Sequence, residues 1–392
     1  MIQATRFLSR TLLGLLILLT SLAQASEAPG NAWIEKRVRK YVGQMLIVGF
    51  RGLSVDKDHI IVRDIQHYNL GGVILFDYDY PTRTFDRNIL NGPQVKTLNQ
   101  QLQSFAKTPL FITVDQEGGL VQRLKPRWGF PAASSALELS QRRQQDPTAI
   151  LESSRSMAQT LRDHGFNWNF APVVDLASNP ENPIIAKVRR AFSADPIAVA
   201  QMSEEFIVGH RDRGVLTSIK HFPGHGSSRQ DSHLGFTDVT TTWAPEELIP
   251  FQKLIDRNRA DSVMISHVFH RDLDADWPAS MSKKIITDLL RDKMKYNGII
   301  VTDDLQMAAI RDNYSFEDSA LRPLKAGSDV LIFGNMLRYE EDVVPRVIEL
   351  VTKAVERNEL SLDQLRKSYL RIQAIKKRLR LSSTPRNEQA PR

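Results

Sequence analysis

The segment GIIVTDDLQM, Gly298 to Met307, sets a short apolar run directly against two acids. A run of this length, rich in β-branched residues and opened by glycine, reads as a buried strand. A buried strand ending in two carboxylates is costly unless those groups are paired or have a task. The same arrangement recurs along the chain. Apolar runs lie at Gln44–Phe50 (QMLIVGF), Gly72–Phe76 (GVILF), Leu110–Val114 (LFITV), Asn167–Val174 (NWNFAPVV), Leu216–Ile219 (LTSI), Ser262–Ser266 (SVMIS), Gly298–Thr302 (GIIVT) and Asp329–Phe333 (DVLIF). Stretches with helical periodicity or good helix formers separate most of them, at Gln94–Phe105, Ala149–His164, Pro196–Arg213 and Ala244–Arg259.

Eight strand–helix units in succession predict a closed parallel sheet, an α/β fold of the (β/α)8 TIM-barrel type. The polar residues sharpen that expectation. Most runs end in a chemically capable residue: Asp77, Asp115, Asp175, Lys220 with His221, His267, Asp303 and Asn335. In a barrel these ends converge on one mouth, where the side chains meet around a ligand. Helix capping accounts for one or two of them but not for the series. Beyond Gly334, Arg338 to Leu381 reads as two or so extra C-terminal helices at the outside or base. No linker and no repeat beyond the strand–helix alternation appears, so residues 26–381 are expected to form one domain.

The chain has 392 residues, 42% hydrophobic and 25% charged, enough apolar material for a large core. Residues 1–25 stand apart. Arg6 and Arg10 precede the apolar run Thr11–Leu22, and Ala23-Gln24-Ala25 supplies a small-x-small cleavage pattern, so a signal peptide cut before Ser26 is expected. An uncleaved anchor is the alternative, but the run is shorter than the roughly 20 residues that span a bilayer. Export, to a periplasm or beyond, follows as an expectation, with no stable membrane insertion after cleavage. There are no cysteines. Disulfides, thiolate catalysis and thiolate metal sites are excluded. The formal charge is +7, with a concentration of cations near the C-terminus in Arg366, Lys367, Arg371, Lys376, Lys377, Arg378 and Arg380. No nucleic-acid motif accompanies them, so a solvated basic face is expected rather than a nucleic-acid partner. The final stretch SSTPRNEQAPR, residues 382–392, is polar and reads as disordered.

Four segments carry chemistry. In KHFPGHGSSRQDSH, Lys220 to His233, the proline and glycines force a loop out of the barrel mouth. Asp231 and His233, two apart, can hydrogen-bond, and a carboxylate beside an imidazole favours the protonated ring that a general acid needs. On spacing alone a solvated loop explains the pair equally well. His221 and His225 have a zinc-like spacing, yet Pro223 and Gly224 interrupt it, so the rings would not share a helix face. Lys220 and His221 read instead as donors to substrate hydroxyls. The strand-end pair Asp303–Asp304 suits nucleophilic attack at an anomeric carbon, although such pairs also cap helices or bind cations. TVDQEGGLVQR, Thr113 to Arg123, ends a strand at Asp115, turns at two glycines and places Arg123 on the expected following helix. NFAPVVDLASNPENP ends at Asp175 and is followed by VRRAFSADP, whose Arg190 is able to clamp an oxygen.

Together these segments closely resemble family 3 glycoside hydrolases of the β-N-acetylglucosaminidase branch, over roughly Gln44 to Gly334. KHFPGHG followed by Asp-Ser-His is the specific signature; VDQEGG-x-VQR and TDDLxM support it. The resemblance implies that Asp303 is the nucleophile, His233 the acid/base and Asp231 its dyad partner. It implies that Asp115, Arg123, Arg190, Lys220 and His221 hold the sugar ring, with Arg190 on the acetamido side, and that Asp304 is structural support. It further implies retaining, exo-acting cleavage of terminal β-linked N-acetylglucosamine from peptidoglycan or chitin-type fragments, by a monomer with a carbohydrate substrate and neither metal nor cofactor. A nearby Lys220 is expected to keep Asp303 ionised. Two departures stand out: Ala191-Phe192-Ser193 after Arg190 where Ser-Phe-Gly is expected, and Leu120 where arginine is common. The competing readings are a β-glucosidase or a phosphorylase on the same scaffold, a metal-dependent hydrolase using His221, His225, His233 and Asp303, and a catalytically silent sugar-binding protein.

Overall fold

All eight apolar runs form strands. The computed structural model describes residues 29–383, in which β1 (Leu46–Gly49), β2 (Gly72–Ile74), β3 (Phe111–Val114), β4 (Trp168–Asn169), β5 (Leu216–Phe222), β6 (Ser262–Ile265), β7 (Ile299–Asp304) and β8 (Val330–Phe333) pair in order. Every pairing is parallel, and β1 closes on β8 through Ile47 opposite Ile332. The interior is filled rather than open. Trp168 is fully buried, packs edge-to-face on Phe111 and Phe170, and donates its indole N–H to Ser218 at 2.9 Å.

Two strands run further than their apolar runs. β5 continues through Lys220 and His221 to Phe222, and β7 continues through Asp303 to Asp304. The register slips at both places, between Ile219 and Phe222 against β6, and between Val301 and Asp304 against β8. A regular strand sends successive side chains to opposite faces, and a slip re-aims them locally. The chemically capable pairs therefore sit within the barrel wall, not beyond it. β4 is shorter than its apolar run, because Pro172 has no N–H to give the ladder. The chain beyond it still lies along β5, with Val174 N–H donating to the Lys220 carbonyl at 2.8 Å.

Helices start where the sequence supplies caps. Asn91 caps Gly92–Phe105, Ser135 and Glu138 form a capping box on Ala136–Arg143, and Asp195 receives two N–H groups at the head of Pro196–Arg211. Arg123 is not helical. Asp115 to Lys125 folds as a turn closed by a Gly118–Val121 bridge, because the paired glycines reverse the chain at positive φ. Helices Val343–Glu356 and Leu362–Ser383 follow β8 and pack against a helix the sequence reading did not anticipate, Pro29–Val42.

The last helix corrects the expectation of a solvated basic face in part, at Lys376 and Arg371. Lys376 is buried, donates to Gln44 Oε1 and the Gly71 carbonyl at 2.9 and 2.7 Å, and sits over the Phe111 ring. Arg371 pairs with Asp329 at 3.0 Å and Arg378 with Asp261 at 2.6 Å, both acids being buried at the barrel's base. Arg366, Lys367, Lys377 and Arg378 keep exposed side chains, so the face is solvated in part while Lys376 and Arg371 turn toward the base. Apolar positions alone do not reveal this, because the acids lie far off in sequence. The expected leader (residues 1–25) and the tail beyond Ser383 lie outside the described residues. Among the described residues, no helix is long and apolar enough to cross a membrane.

Asp329 ties β7, β8 and two helices together, accepting from Ile300 N–H (2.9 Å), Ser368 Oγ (2.7 Å), Arg371 and Arg291. Asp329→Ala leaves two cations without their buried partner and is expected to lower unfolding free energy by about 3–5 kcal/mol in urea titration. A loss below about 1 kcal/mol, the scale of exposed pairs, would contradict this account of the base.

Candidate active site

The mouth of the barrel holds a cleft of about 490 Å³, within the usual range of roughly 300–1,000 Å³ for ligand pockets. Its floor is a chain of buried ions. Lys220 donates to Asp115 Oδ1 at 3.0 Å and to Glu117 Oε1 at 2.7 Å. Arg190 grips Glu117 with two N–H groups at 2.8 Å each, donates a third to the Ile184 carbonyl, and lies 3.2 Å from His221 Nε2. Arg123 stands 3.7 Å from Asp115. Burial opposes ionisation of Glu117, but Arg190 and Lys220 outweigh it and hold the carboxyl far below the usual range. Burial likewise works against Lys220, and Asp115 and Glu117 raise it nonetheless.

Behind this floor, Asp175 anchors the next turn. It accepts from His221 Nδ1 at 2.6 Å and from the His225 backbone N–H at 2.8 Å. His225 is buried between Ser228 Oγ (2.8 Å) and Ser232 Oγ (3.2 Å), and burial lowers its pKa to about 4. Its nitrogens thus serve the loop. Among the described residues no group of three or more His, Asp or Glu side chains is arranged to hold a metal ion.

The two acids of β7 are shifted in opposite directions. Burial opposes the Asp303 charge, yet His267, then His221 and His233, hold its carboxyl down to about 2. The sequence expectation named Lys220 for this task; the histidines do it, while Lys220 pairs with Asp115 and Glu117. Burial pushes Asp304 up to about 6, although it accepts from Gly334 N–H (2.8 Å) and Gln306 N–H (3.0 Å). Gly334 is required at that contact, since a Cβ there would lie 2.3 Å from Asp304 Oδ2. His267 donates from Nε2 to the Asp304 carbonyl at 2.9 Å, fixing the ring beside the acid pair. Paired acids whose environments push them apart are a hallmark of acid–base sites.

Asp231 and His233 meet on the loop after β5. His233 Nδ1 lies 2.7 Å from Asp231 Oδ1, which also accepts the His233 backbone N–H at 2.8 Å. The His233 side chain is 44% exposed, so the dyad stands open to solvent while the floor is buried. The loop is fixed at its root. Asn182 Nδ2 donates to the His225 and Gly226 carbonyls at 2.8 and 2.9 Å, and Gly226 N–H donates to Glu247 Oε2 at 3.0 Å. Gly224 has φ +126°, and a Cβ there would fall 2.5 Å from Glu247 Oε2. Burial raises the Glu247 pKa to about 7.

All eight residues singled out from the sequence, Asp115, Arg123, Arg190, Lys220, His221, Asp231, His233 and Asp303, line this one cleft. Of the other strand-end residues, Asp175 and His267 stand behind it. Asp77 pins Lys125 and Arg127, and Asn335 braces β1 and β8 through the Gly49 carbonyl and Gln306. Glu117 and Glu247 were missed. Glu117 was signalled by an acid placed directly before two glycines in a strand-end turn. Glu247 carries no local signal, since its partners are over twenty residues away.

Comparison with known proteins matches residues 37–375 to the family described as "Glycosyl hydrolase family 3 N terminal domain". A "Beta-hexosaminidase" of Tolumonas auensis is 35% identical over 293 residues, covering 74% of this chain and 82% of the relative. "Beta-hexosaminidase A" of Pseudoalteromonas piscicida is 33% identical over 341 residues, covering 81% of this chain. A solved family 3 β-N-acetylglucosaminidase from Paenibacillus sp. superposes with a TM-score of 0.79 at 31% identity, over 88% of this chain. This chain spans 55% of the Pseudoalteromonas protein and 63% of the Paenibacillus chain.

The raised pKa of Glu247 has a sign that experiment can read. Between its ordinary value of 4.5 and about 7, the folded protein keeps a proton that the unfolded chain releases. Stability contributed by the protonated group is therefore lost as pH rises through that window. Glu247→Gln should remove this loss, so that the variant gains on wild type by about 3 kcal/mol between pH 4.5 and 7.5 in denaturant titrations. A pH-independent difference between the two proteins would contradict the assignment.

Proposed function

Since this chain belongs to glycosyl hydrolase family 3, we propose that it is a retaining, exo-acting β-N-acetylglucosaminidase that releases terminal β-linked N-acetylglucosamine from peptidoglycan or chitin-type fragments. One observation carries the reading: an ionised carboxylate, Asp303, and a carboxylate-oriented imidazole, His233, face one cleft whose floor is closed by buried ion pairs. A closed floor suits a terminal sugar better than the middle of a chain. The names of the Tolumonas and Paenibacillus proteins support the sugar identity.

In the first step, an Asp303 oxygen bonds to the anomeric carbon as the glycosidic C–O bond breaks, and protonated His233 gives its proton to the departing oxygen. The sugar is then held as an ester of Asp303. In the second step His233 takes a proton from water, whose oxygen attacks the same carbon and frees Asp303. Asp231 fixes the orientation of the imidazole through Nδ1 at 2.7 Å. Asp115 and Arg123 are offered to the sugar hydroxyls, and Lys220 holds Asp115 in place. Arg190 stands on the acetamido side, although its N–H groups already serve Glu117 and Ile184. The expected leader at residues 1–25 supports work outside the cytoplasm.

A chromogenic β-N-acetylglucosaminide assayed beside the matching β-glucoside tests the reading. The acetamido sugar should be strongly preferred. Asp303→Ala should lower kcat by about a thousandfold or more, and His233→Ala by about 10²–10⁴-fold. Near-normal turnover in either variant contradicts the assigned role, and preference for the plain glucoside contradicts the specificity.

A further inference from the structure

His225 belongs to the signature loop, yet it does not line the cleft, and the two chemical steps leave it without a task. It is buried, with its ring centroid 6.0 Å from that of His221. Its backbone N–H is held by Asp175, the carboxylate that also orients His221. A buried imidazole needs partners for its nitrogens, and here they are two hydroxyls of its own loop. Ser228 Oγ lies 2.8 Å from Nδ1, and Ser232 Oγ lies 3.2 Å from Nε2. In either tautomer one nitrogen donates and the other accepts, so both hydroxyls are held.

Those hydroxyls belong to opposite ends of the loop. Ser228 is at the root, where its Oγ receives Asn182 Nδ2 at 3.2 Å and its carbonyl receives Asn179 Nδ2 at 2.8 Å. Asn182 is itself fixed, its Oδ1 accepting the N–H groups of Ile184 and Ile185 at 3.0 and 2.9 Å. Ser232 is at the tip, between Asp231 and His233. Among the described residues from Arg229 to Phe236 it alone is buried. Its carbonyl accepts the Ala309 N–H at 3.3 Å, on the segment that follows Asp303 and Asp304. The dyad thus projects from either side of a residue hooked inward, and the His225 ring is the strut between hook and root.

We propose that His225 is a positioning residue: by tying Ser232 to the rooted end of the loop, it sets where the Asp231–His233 dyad stands and so governs proton transfer to the departing oxygen. This rests on the hexosaminidase reading, in which His233 is the acid. Placement matters steeply for such a group, since an error of about 1 Å costs on the order of a hundredfold in rate.

The test isolates proton transfer by varying the leaving group. It compares kcat/KM on the dinitrophenyl and para-methoxyphenyl N-acetyl-β-glucosaminides. Dinitrophenolate departs as a stable anion and needs no proton, whereas the methoxyphenyl oxygen needs one. Ser232→Ala removes the hook and leaves the root. It should lower the methoxyphenyl value about ten- to a hundredfold and the dinitrophenyl value by less than about threefold. His225→Asn keeps an amide near the Nδ1 position and loses the reach to Ser232, so it should match Ser232→Ala. His225→Gln extends an amide to the Nε2 position and should recover part of the loss. Inhibition by N-acetylglucosamine should stay within about twofold throughout, because the floor of the cleft is untouched.

An unfolding midpoint shows which variants are folded, and Ser232→Ala decides the matter if the ring variants are not. Equal losses on the two glycosides, or no loss on either, overturn the positioning role. His233→Ala should show the same selectivity for the methoxyphenyl substrate; equal losses there overturn the acid assignment and the proposal with it. Failure of wild type to hydrolyse either glycoside overturns the hexosaminidase reading itself.

Discussion

Lys220 sits between two carboxylates in the wall of the barrel, and the rest of the site is arranged around it. An isolated ammonium in that position would cost several kcal/mol to desolvate. Asp115 and Glu117 prevent this by accepting its protons at 3.0 and 2.7 Å, and Arg190 balances the second acid with a two-point grip. The cluster joins the ends of β3 and β5 to the loop beyond β4. Lys220 is committed to these two acids, and the ionised state of Asp303 is favoured by His267, His221 and His233. A rigid, pre-paired floor needs little rearrangement when charge develops above it.

Floor and dyad differ in accessibility, and the chemistry follows that division. Asp303 is kept charged by rings that are themselves fixed, His221 by Asp175 and His267 by Ser280 and the Asp304 carbonyl. His233 stands on a loop, nearly half exposed, with Asp231 beside it. A group that must give up a proton and regain one benefits from contact with water, whereas a nucleophile benefits from a fixed environment. The loop is nonetheless rooted by Asn182 and Glu247, so that exposure at its tip does not imply looseness at its base.

Much of this was legible in the sequence. The eight apolar runs and their polar ends were enough for the barrel, since β1 to β8 all fall within or across them. The signature from Lys220 to His233 and the Asp303–Asp304 pair pointed to residues that share one cleft. What escaped was long-range pairing. Lys220 and Asp115 are 105 residues apart, and Glu117 and Arg190 are 73 apart. No local pattern says that Arg190 will turn inward to Glu117, or that Lys376 will cap the base of the barrel. Boundaries slipped for a related reason: β5 runs past its apolar residues because the ion pairs of Lys220 stand in for apolar burial, and β7 because Asp304 accepts the backbone N–H groups of Gly334 and Gln306.

Asp303, and not its neighbour Asp304, carries the attacking charge. Labelling with a slow fluorinated N-acetylglucosaminyl donor, followed by peptide mass spectrometry, tests it most directly. The mass of one sugar is expected on the peptide that contains Asp303, with fragmentation placing it on that residue and with no labelling of Asp303→Ala. Turnover of the donor without any covalent adduct, or a label on Asp304 or Glu117, would contradict it.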